Sequence, residues 1–460
     1  MHSPANHRHD IEIAALAAQD MALTTTRIQA ALDRAAEGPV RVTLRAGQHL
    51  CGGLRLRSHT ELHLDQGAEL IFAPDYAAFA QTETRVMAED STRAMIVAHG
   101  AEDLTISGPG MIRCAGSAAF SIGSDAVMGT LIPARLRPRV LVLDGCKGVR
   151  IGGGLRVSDS PMWTLHLIDC ADVEITDTHV DNNRRMPNTD GLVIDGCRHV
   201  RVSRSVFRTA DDGIVLKTSA RTDGAPASAC VDIRVRDCVV ESRSCALKLG
   251  TESFADFTDI VFEDCRVEAS NRALGLFSRD GGAMRNVRFS RIDVACTETP
   301  DGFWGSGEAL SVIALDRRSA RPAGEIRGLV VEAITGTHQG AVNLWAERPG
   351  LIADVMLADI TLGQEEGPLG TAQSQDLRPT PADLAEMPGA PGRPNAWRLG
   401  ADGRVVGLVP YPGGLPALYA RGVSDLRLER VTIIRPTPLP ANWNPVALVE
   451  EPAAGPRGNT

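Results

Sequence analysis

The chain has 460 residues, of which 43% are hydrophobic and only 4% aromatic, and its formal net charge is −9. This length fits two or three ordinary domains or one long solenoid, and the shortage of aromatic rings favours a narrow core of stacked aliphatic side chains. The charges form no basic cluster, which excludes a footprint for nucleic acid or an anionic membrane, and no apolar stretch is long enough to span a bilayer.

Residues 1–21 are predicted to form an N-terminal extension. They lack a basic segment followed by an apolar one, the pattern of a secretory signal, so we expect a cytoplasmic protein. Residues 24–36 have the spacing of a short amphipathic helix with a threonine at its cap. One face of it carries Ile28, Ala31, Leu32 and Ala35. Such a helix would plug the open N-terminal end of a solenoid and block edge-to-edge strand pairing.

A strand-like motif recurs from residue 101 onwards, in which a small or apolar residue is followed by aliphatic residues three and five positions later. The motif begins at Ala101, Cys146, Cys170, Cys197, Cys230, Phe257, Met284, Ile326, Ile352 and Val423. Apolar and polar residues alternate within each match, as in a strand with one buried face. Central repeats 24 to 33 residues apart predict an all-β chain folded as a right-handed parallel β-helix, one coil per repeat.

A second strand is predicted in each central coil. These strands begin at Leu165, Leu192, Ile214, Leu247, Leu274, Leu310 and Val342. Because neighbouring coils lie about 4.8 Å apart, the first motif position becomes an inward column that consists mostly of cysteines. The ten cysteines form no CxxC pair or His-Cys cluster, so we expect most of them to pack as small hydrophobic residues.

The position two residues before each second strand forms a column on one edge of the predicted solenoid. In order, it contains Trp163, Asp190, Asp212, Cys245, Arg272 and Glu308. Asp190 and Asp212 fall in adjacent coils, and Asp211 lies beside Asp212. Two such charges about 5 Å apart repel by about 3 kcal/mol at an effective dielectric of 20. Asx turns are the alternative explanation, but two at one column position, with an extra aspartate, favour a functional site.

Crowded carboxylates suit glycoside hydrolysis, in which one group donates a proton to the leaving oxygen and another activates water. The enzymatic alternative is a polysaccharide lyase that uses Ca²⁺. A lyase also needs a basic residue among the carboxylates, and Arg272 of the column is two coils away, so we favour hydrolysis without metal or cofactor. The third alternative is a non-catalytic carbohydrate-binding solenoid, which has no reason to bury aspartates that repel one another.

At these residues the sequence resembles glycoside hydrolase family 28, the polygalacturonase family of right-handed β-helices, over roughly residues 22–365. The resemblance rests on NTDG (188–191) and DDGIVLK (211–217), with LKLGTES (247–253), NRALGLFSRDGG (271–282) and DGFWGSGEA (301–309) as in a bacterial subgroup. It implies that Asp211 is the general acid and that Asp190 and Asp212 hold and activate the water. It also implies hydrolysis with inversion.

Two family motifs are absent. Cys245 stands where the family has the histidine of Gly-His-Gly, and 275–277 reads Gly-Leu-Phe where the family has the Arg-Ile-Lys that grips the substrate carboxylate. Other side chains are therefore expected to bind the sugar. The candidates are Lys217, Lys248, Arg272, Arg279, Trp304 and Glu308. Lys217 and Lys248 alternate with core leucines, so they should face outward on the edge with the aspartates. We expect Lys248 and Arg272 to bind the acid group of a uronate.

The repeat lapses between about 366 and 416, where a Pro- and Gly-rich stretch predicts an insertion or long loop. One coil resumes at 418–434, and residues 436–460 are predicted to be a C-terminal tail. We therefore predict a single catalytic β-helix over residues 22–435. Its expected substrate is an acidic or neutral pectic poly- or oligosaccharide, such as a galacturonan or rhamnogalacturonan fragment. Whether it is a monomer or an oligomer is left open.

Overall fold

The computed structural model describes residues 8–453 apart from 18, 86, 88–89, 126–128 and 381–399. It is a right-handed parallel β-helix, as predicted, with two large sheets of parallel strands. The first sheet has 21 strands and lines two sides of the solenoid. From Met284 onwards the two strands that each coil contributes to this sheet fuse into one strand of 12 or 13 residues. Among the described residues, no helix is long and apolar enough to cross a membrane.

The strands of the first sheet are His9–Ile13, Val40–Leu44, Gly47–Cys51, Thr60–Leu64, Ala68–Phe72, Glu102–Ser107, Met111–Arg113, Lys147–Gly152, Arg156–Ser158, Ala171–Thr176, His179–Asp181, Arg198–Ser203, Val206–Thr209, Cys230–Arg236, Val239–Ser242, Phe257–Glu263, Arg266–Ser270, Met284–Cys296, Ile326–His338, Ile352–Gln364 and Val423–Ile434. The second sheet has 12 strands. They are Leu54–Arg55, Ala94–His99, Arg139–Asp144, Leu165–Ile168, Leu192–Asp195, Ile214–Thr218, Cys245–Ser253, Arg272–Ser278, Glu308–Ala314, Val342–Ala346, Leu418–Arg421 and Leu448–Glu451.

The remaining elements are short. Two antiparallel pairs join Ser121–Asp125 to Leu131–Pro133 and Ser374–Asp376 to Leu408–Pro410. The helices are Met21–Asp33 and Gly116–Phe120, with 3₁₀ turns at Arg34–Ala36, Tyr76–Phe79 and Thr371–Gln373.

The register of the coils follows the sequence repeat. In the first sheet Val173 lies beside Val200, and Val200 lies beside Ile233. In the second sheet Leu192 lies beside Ile214. Aliphatic side chains of successive coils therefore stack on one another in a continuous core. All ten cysteines are buried and free, in agreement with their predicted packing as small hydrophobic residues.

The N-terminal helix begins earlier than the sequence predicts. It starts at Met21, and its cap is Asp20, not a threonine, because the Asp20 carboxylate accepts the Leu23 N–H at 2.9 Å. This bond satisfies one of the N–H groups that the first turn of a helix leaves unpaired. Ile28 and Leu32 are fully buried against the first coil. The helix thus covers the N-terminal end of the core, as predicted.

Parts of both predicted extensions belong to the solenoid. The strand His9–Ile13 pairs in parallel with Val40–Leu44, and Leu448–Glu451 pairs with Leu418–Arg421. His9–Ile13 thus adds a strand to the N-terminal end of the first sheet, and Leu448–Glu451 adds one to the C-terminal end of the second sheet.

The described part of the predicted insertion lies against the second sheet. Its first strand, Ser374–Asp376, is followed by Arg378, which is buried, as is Asp376. The Arg272 side chain donates a hydrogen bond to the Asp376 carbonyl oxygen at 3.1 Å. Residues 381–399 of the predicted insertion lie outside the described residues.

The capping helix provides a test of the fold. Leu32→Ala should lower the free energy of unfolding by about 2–5 kcal/mol, because truncation of this fully buried side chain leaves a cavity at the end of the core. Leu23→Ala is the matched control on the same helix, since Leu23 is 48% exposed. It should change the free energy by less than about 0.5 kcal/mol. Urea unfolding measures both, and equal effects would contradict a helix that seals the coil end.

Candidate active site

Three aspartates meet at one edge of the second sheet. An oxygen atom from each of Asp190, Asp211 and Asp212 lies within 4.8 Å of the other two, and none of the side chains is more than 5% exposed. The strand register causes this crowding, because the Gly191 N–H donates to the Asp212 carbonyl oxygen of the next coil at 2.9 Å. The structure therefore brings together the three carboxylates that the sequence column predicts to be neighbours.

Two lysines lie among these carboxylates. Lys248 Nζ is 2.7 Å from Asp212 Oδ2. Lys217 Nζ is 3.7 Å from Asp190 Oδ2 and 2.9 Å from Glu252 Oε2. The sequence predicts both lysines on this edge, facing away from the core, and they are only 6% and 7% exposed. The sequence argument against a lyase considered only Arg272 of the column, whereas alternate strand positions place both ammonium groups among the carboxylates.

Burial and mutual repulsion keep a proton in this cluster. Desolvation, followed by the charge of Asp211, raises the pKa of Asp190 well above its ordinary value. Desolvation, followed by the charge of Asp212, raises the pKa of Asp211 to about 6. Such neighbours titrate as a group, so the retained proton belongs to the cluster.

The Lys217 side chain keeps its proton and its positive charge. Burial lowers the pKa of Lys217, but the nearby Glu252 and Asp190 carboxylates outweigh this effect and raise it overall. Its ammonium group also lies 4.6 Å from the ring centroid of Trp163, a favourable cation–π contact. Trp163 is 2% exposed, so it supports Lys217 more than it offers a free face to a sugar.

The aspartates line a pocket at this edge of the sheet. The other residues around it are Trp163, Asn188, Lys217, Lys248, Thr251, Glu252, Arg272, Trp304, Arg317, Arg378 and Pro379. Sequence analysis missed Glu252, although it lies in the LKLGTES segment, as well as Arg317 and Arg378. Arg317 follows a strand of the second sheet at the site edge, which is a usable signal. Arg378 lies in the insertion, where no repeat marks its place.

Arg272 lines the pocket, and its guanidinium is bound by the carboxylates of Glu308 and Asp376. Its Nε donates to Glu308 Oε2 at 3.3 Å, and its Nη2 is 3.1 Å from Asp376 Oδ2. Arg272 is 2% exposed, and Glu308 is fully buried. Trp304 lies at the pocket as predicted, with the Arg378 guanidinium 5.2 Å from its ring centroid.

Arg279 and Glu308 do not reach the pocket, contrary to the expectation that they bind the sugar. Arg279 is fully buried and donates to the Leu377 and Arg378 carbonyl oxygens at 3.0 and 3.1 Å. Glu308 accepts the Ser306 N–H at 2.6 Å in addition to Arg272. Sequence position alone aligned both residues with the site edge, but their partners turn them towards the protein interior, where they support the pocket wall.

Among the residues that the structure describes, the three aspartates form a group that could also hold a metal ion. Carboxylate oxygens suit Ca²⁺ or Mg²⁺. Here, however, the ammonium groups of Lys217 and Lys248 already neutralise part of their charge. A divalent cation would have to enter beside two positive groups.

Residues 75–300 match the sequence model of glycosyl hydrolases family 28. A probable polygalacturonase of Arabidopsis thaliana is 24% identical over 262 residues, which cover 55% of this chain and 55% of that protein. The chain thus spans about half the length of the curated relatives it matches.

Solved structures share the fold. A family 28 exopolygalacturonase from Yersinia enterocolitica has a TM-score of 0.62 at 13% identity, over 97% of this chain and 78% of that one. A hyperthermoactive exopolygalacturonase from Thermotoga maritima has a TM-score of 0.59 at 19% identity, over 77% of this chain and 87% of that one. The segment that matches glycosyl hydrolases family 28 contains all three aspartates and both lysines of the site.

Proposed function

We propose that the protein hydrolyses O-glycosyl bonds of pectin-derived poly- or oligosaccharides, in the manner of a polygalacturonase. One observation carries the proposal. Three buried carboxylates share a pocket, and while one is paired with a lysine, the others have raised pKa values. Glycoside hydrolysis needs this combination of an acid that keeps its proton and a base that does not.

The roles of the aspartates follow from their partners. Asp211, with a pKa of about 6, keeps its proton in mildly acidic solution and is proposed to protonate the leaving oxygen. Asp212 Oδ2 lies 2.7 Å from Lys248 Nζ, and Asp212 is the proposed base. Asp190 lies close to both and is proposed to orient the water molecule that Asp212 activates.

The family resemblance and the separation of the aspartate oxygens point to different configurations of the product. Family resemblance implies inversion. The separation of the aspartate oxygens, within 4.8 Å, is shorter than the roughly 6.5–9.5 Å usual for inverting pairs and closer to the roughly 5–5.5 Å of retaining pairs. We propose inversion, with the water held beside Asp190 and Asp212 and not directly between acid and base.

A lyase needs a basic residue among its carboxylates, and Lys217 and Lys248 occupy such positions here. A lyase base must be able to lose its proton, but the raised pKa of Lys217 keeps it charged. Its carboxylates must also be free to bind Ca²⁺, whereas Asp212 is paired with Lys248 at 2.7 Å. Both features favour hydrolysis.

Asp211→Asn tests the proposal. The change should lower turnover of a pectic oligosaccharide by at least about 100-fold and leave substrate binding nearly intact, because only the transferable proton is lost. Asp237→Asn is the matched control, the same change at an exposed site, and should leave turnover unaltered. Near-normal turnover by Asp211→Asn would contradict the assignment. Binding without turnover in the unmodified protein would favour a carbohydrate-binding solenoid.

The chemistry of the product separates the enzymatic alternatives. The first product seen by proton NMR should have the inverted anomeric configuration, and the rate should be unaffected by EDTA. A retained configuration would make Asp190 or Asp212 a nucleophile. Strict dependence on calcium, with an unsaturated product that absorbs in the ultraviolet, would establish the lyase.

The dependence of protein stability on pH should reflect the raised pKa of Asp211. Between about pH 4 and 6 the unfolded chain releases the Asp211 proton before the folded protein does, so Asp211 lowers stability as the pH rises. At pH 7, Asp211→Asn should therefore stabilise the fold by up to about 3 kcal/mol, and this gain should vanish below about pH 4.

Asp212→Asn should act in the opposite direction. It leaves the buried Lys248 ammonium without its partner, at a cost of about 3–5 kcal/mol at neutral pH. Urea unfolding of both variants as a function of pH measures the two effects. Stabilisation by both substitutions at pH 7 would show that repulsion alone governs the cluster.

A further inference from the structure

We infer that the sugar unit seated against the three aspartates is a neutral sugar and not a uronic acid. The inference rests on the proposed function, because it concerns which unit of a pectic chain occupies the pocket. The ion pairs of the positively charged residues that line the pocket carry it.

Five cations line the pocket, and each is already bound to a carboxylate of the protein. They are Lys217, Lys248, Arg272, Arg317 and Arg378, none more than 7% exposed. The two lysines are held by Glu252 and Asp212, at 2.9 and 2.7 Å.

The three arginines are held in the same way. Arg317 Nη2 lies 2.6 Å from Asp280 Oδ2. Arg378 Nε donates to Asp376 Oδ1 at 2.9 Å, and the same aspartate lies 3.1 Å from Arg272. Asp376 thus binds two arginines from behind the pocket.

Carboxylates lie both around this space and behind the arginines that line it. Four carboxylates line the pocket, namely those of Asp190, Asp211, Asp212 and Glu252. Three more, Asp280, Glu308 and Asp376, hold the arginines from behind. Every cation that lines the pocket therefore has a carboxylate partner within the protein.

A uronate carboxylate has no favourable place in this arrangement. At each of the cations it would compete with the protein carboxylate that already binds there, and so weaken a buried ion pair. Elsewhere in the pocket it would meet the aspartates, which repel it. The hydroxyl groups of a neutral sugar can instead donate to the carboxylates and accept from the lysine ammonium groups, each of which has three N–H donors.

This inference reverses the expectation that Lys248 and Arg272 grip an acid group. Their partners explain the difference. Asp212 holds Lys248, while Glu308 and Asp376 hold Arg272, and Asp376 lies in the insertion.

The test uses matched substrates. Oligosaccharides of galacturonan and rhamnogalacturonan are compared with their carboxyl-reduced forms, in which each uronic acid has become a neutral sugar with the same linkage. If a cation gripped the uronate, reduction would lower kcat/KM by about 10- to 100-fold. We expect no such loss on reduction. On native rhamnogalacturonan, labelling and mass analysis should find a neutral sugar at the new reducing end.

The contrary results are distinct. A uronic acid at the new reducing end, with a 10-fold or greater loss on carboxyl reduction, would overturn the inference and leave the proposed hydrolase standing. Absence of hydrolysis for all four substrates would overturn both. Arg272→Gln provides a second measurement, since it should lower kcat/KM by the same factor for native and reduced substrates. A loss confined to native substrates would contradict the inference.

Discussion

The attraction between two buried lysines and a group of carboxylates that repel one another determines the properties of this site. Asp190 and Asp212 belong to adjacent coils, and strand spacing prevents them from moving apart without breaking the sheet. Lys248 pairs directly with Asp212, whereas Lys217 divides its charge between Asp190 and Glu252. The lysines neutralise part of the negative charge, and a retained proton removes more. Asp211 and Asp212 thus lie side by side as consecutive residues, and the stacking of the coils brings Asp190 next to them.

The insertion gives this rigid edge its outer wall. Asp376 joins Arg272, which belongs to the second sheet, to Arg378, which approaches the ring of Trp304. Arg279 fastens the same segment through two carbonyl oxygens. Functional loops commonly lie on a rigid scaffold, and here the loop fixes cations by pairing them. The segment therefore forms part of the pocket wall, through Arg378 and Pro379.

The coil register and the three aspartates could be predicted because a period of 24 to 33 residues determines which side chains become neighbours. The carboxylate partners of the cations could not be predicted from the sequence. Asp376 lies in the insertion, where no repeat marks a neighbour. Sequence analysis therefore treated Arg272 as free to bind an acid, whereas the structure pairs it. The helix cap differs for a related reason, since backbone geometry decides whether Asp20 or a later threonine accepts the first N–H.

The central claim is that the aspartate cluster holds a proton which Asp211 can donate. Infrared spectroscopy of the protein as a function of pH tests it most directly, because a protonated carboxyl group has its own carbonyl band. We predict such a band that titrates near pH 6 in the unmodified protein and is weaker in Asp211→Asn, in which burial still raises the pKa of Asp190. The account is contradicted if every carboxyl group of the unmodified protein has ionised by about pH 5, as ordinary aspartates do, or if Asp211→Asn leaves the band unchanged.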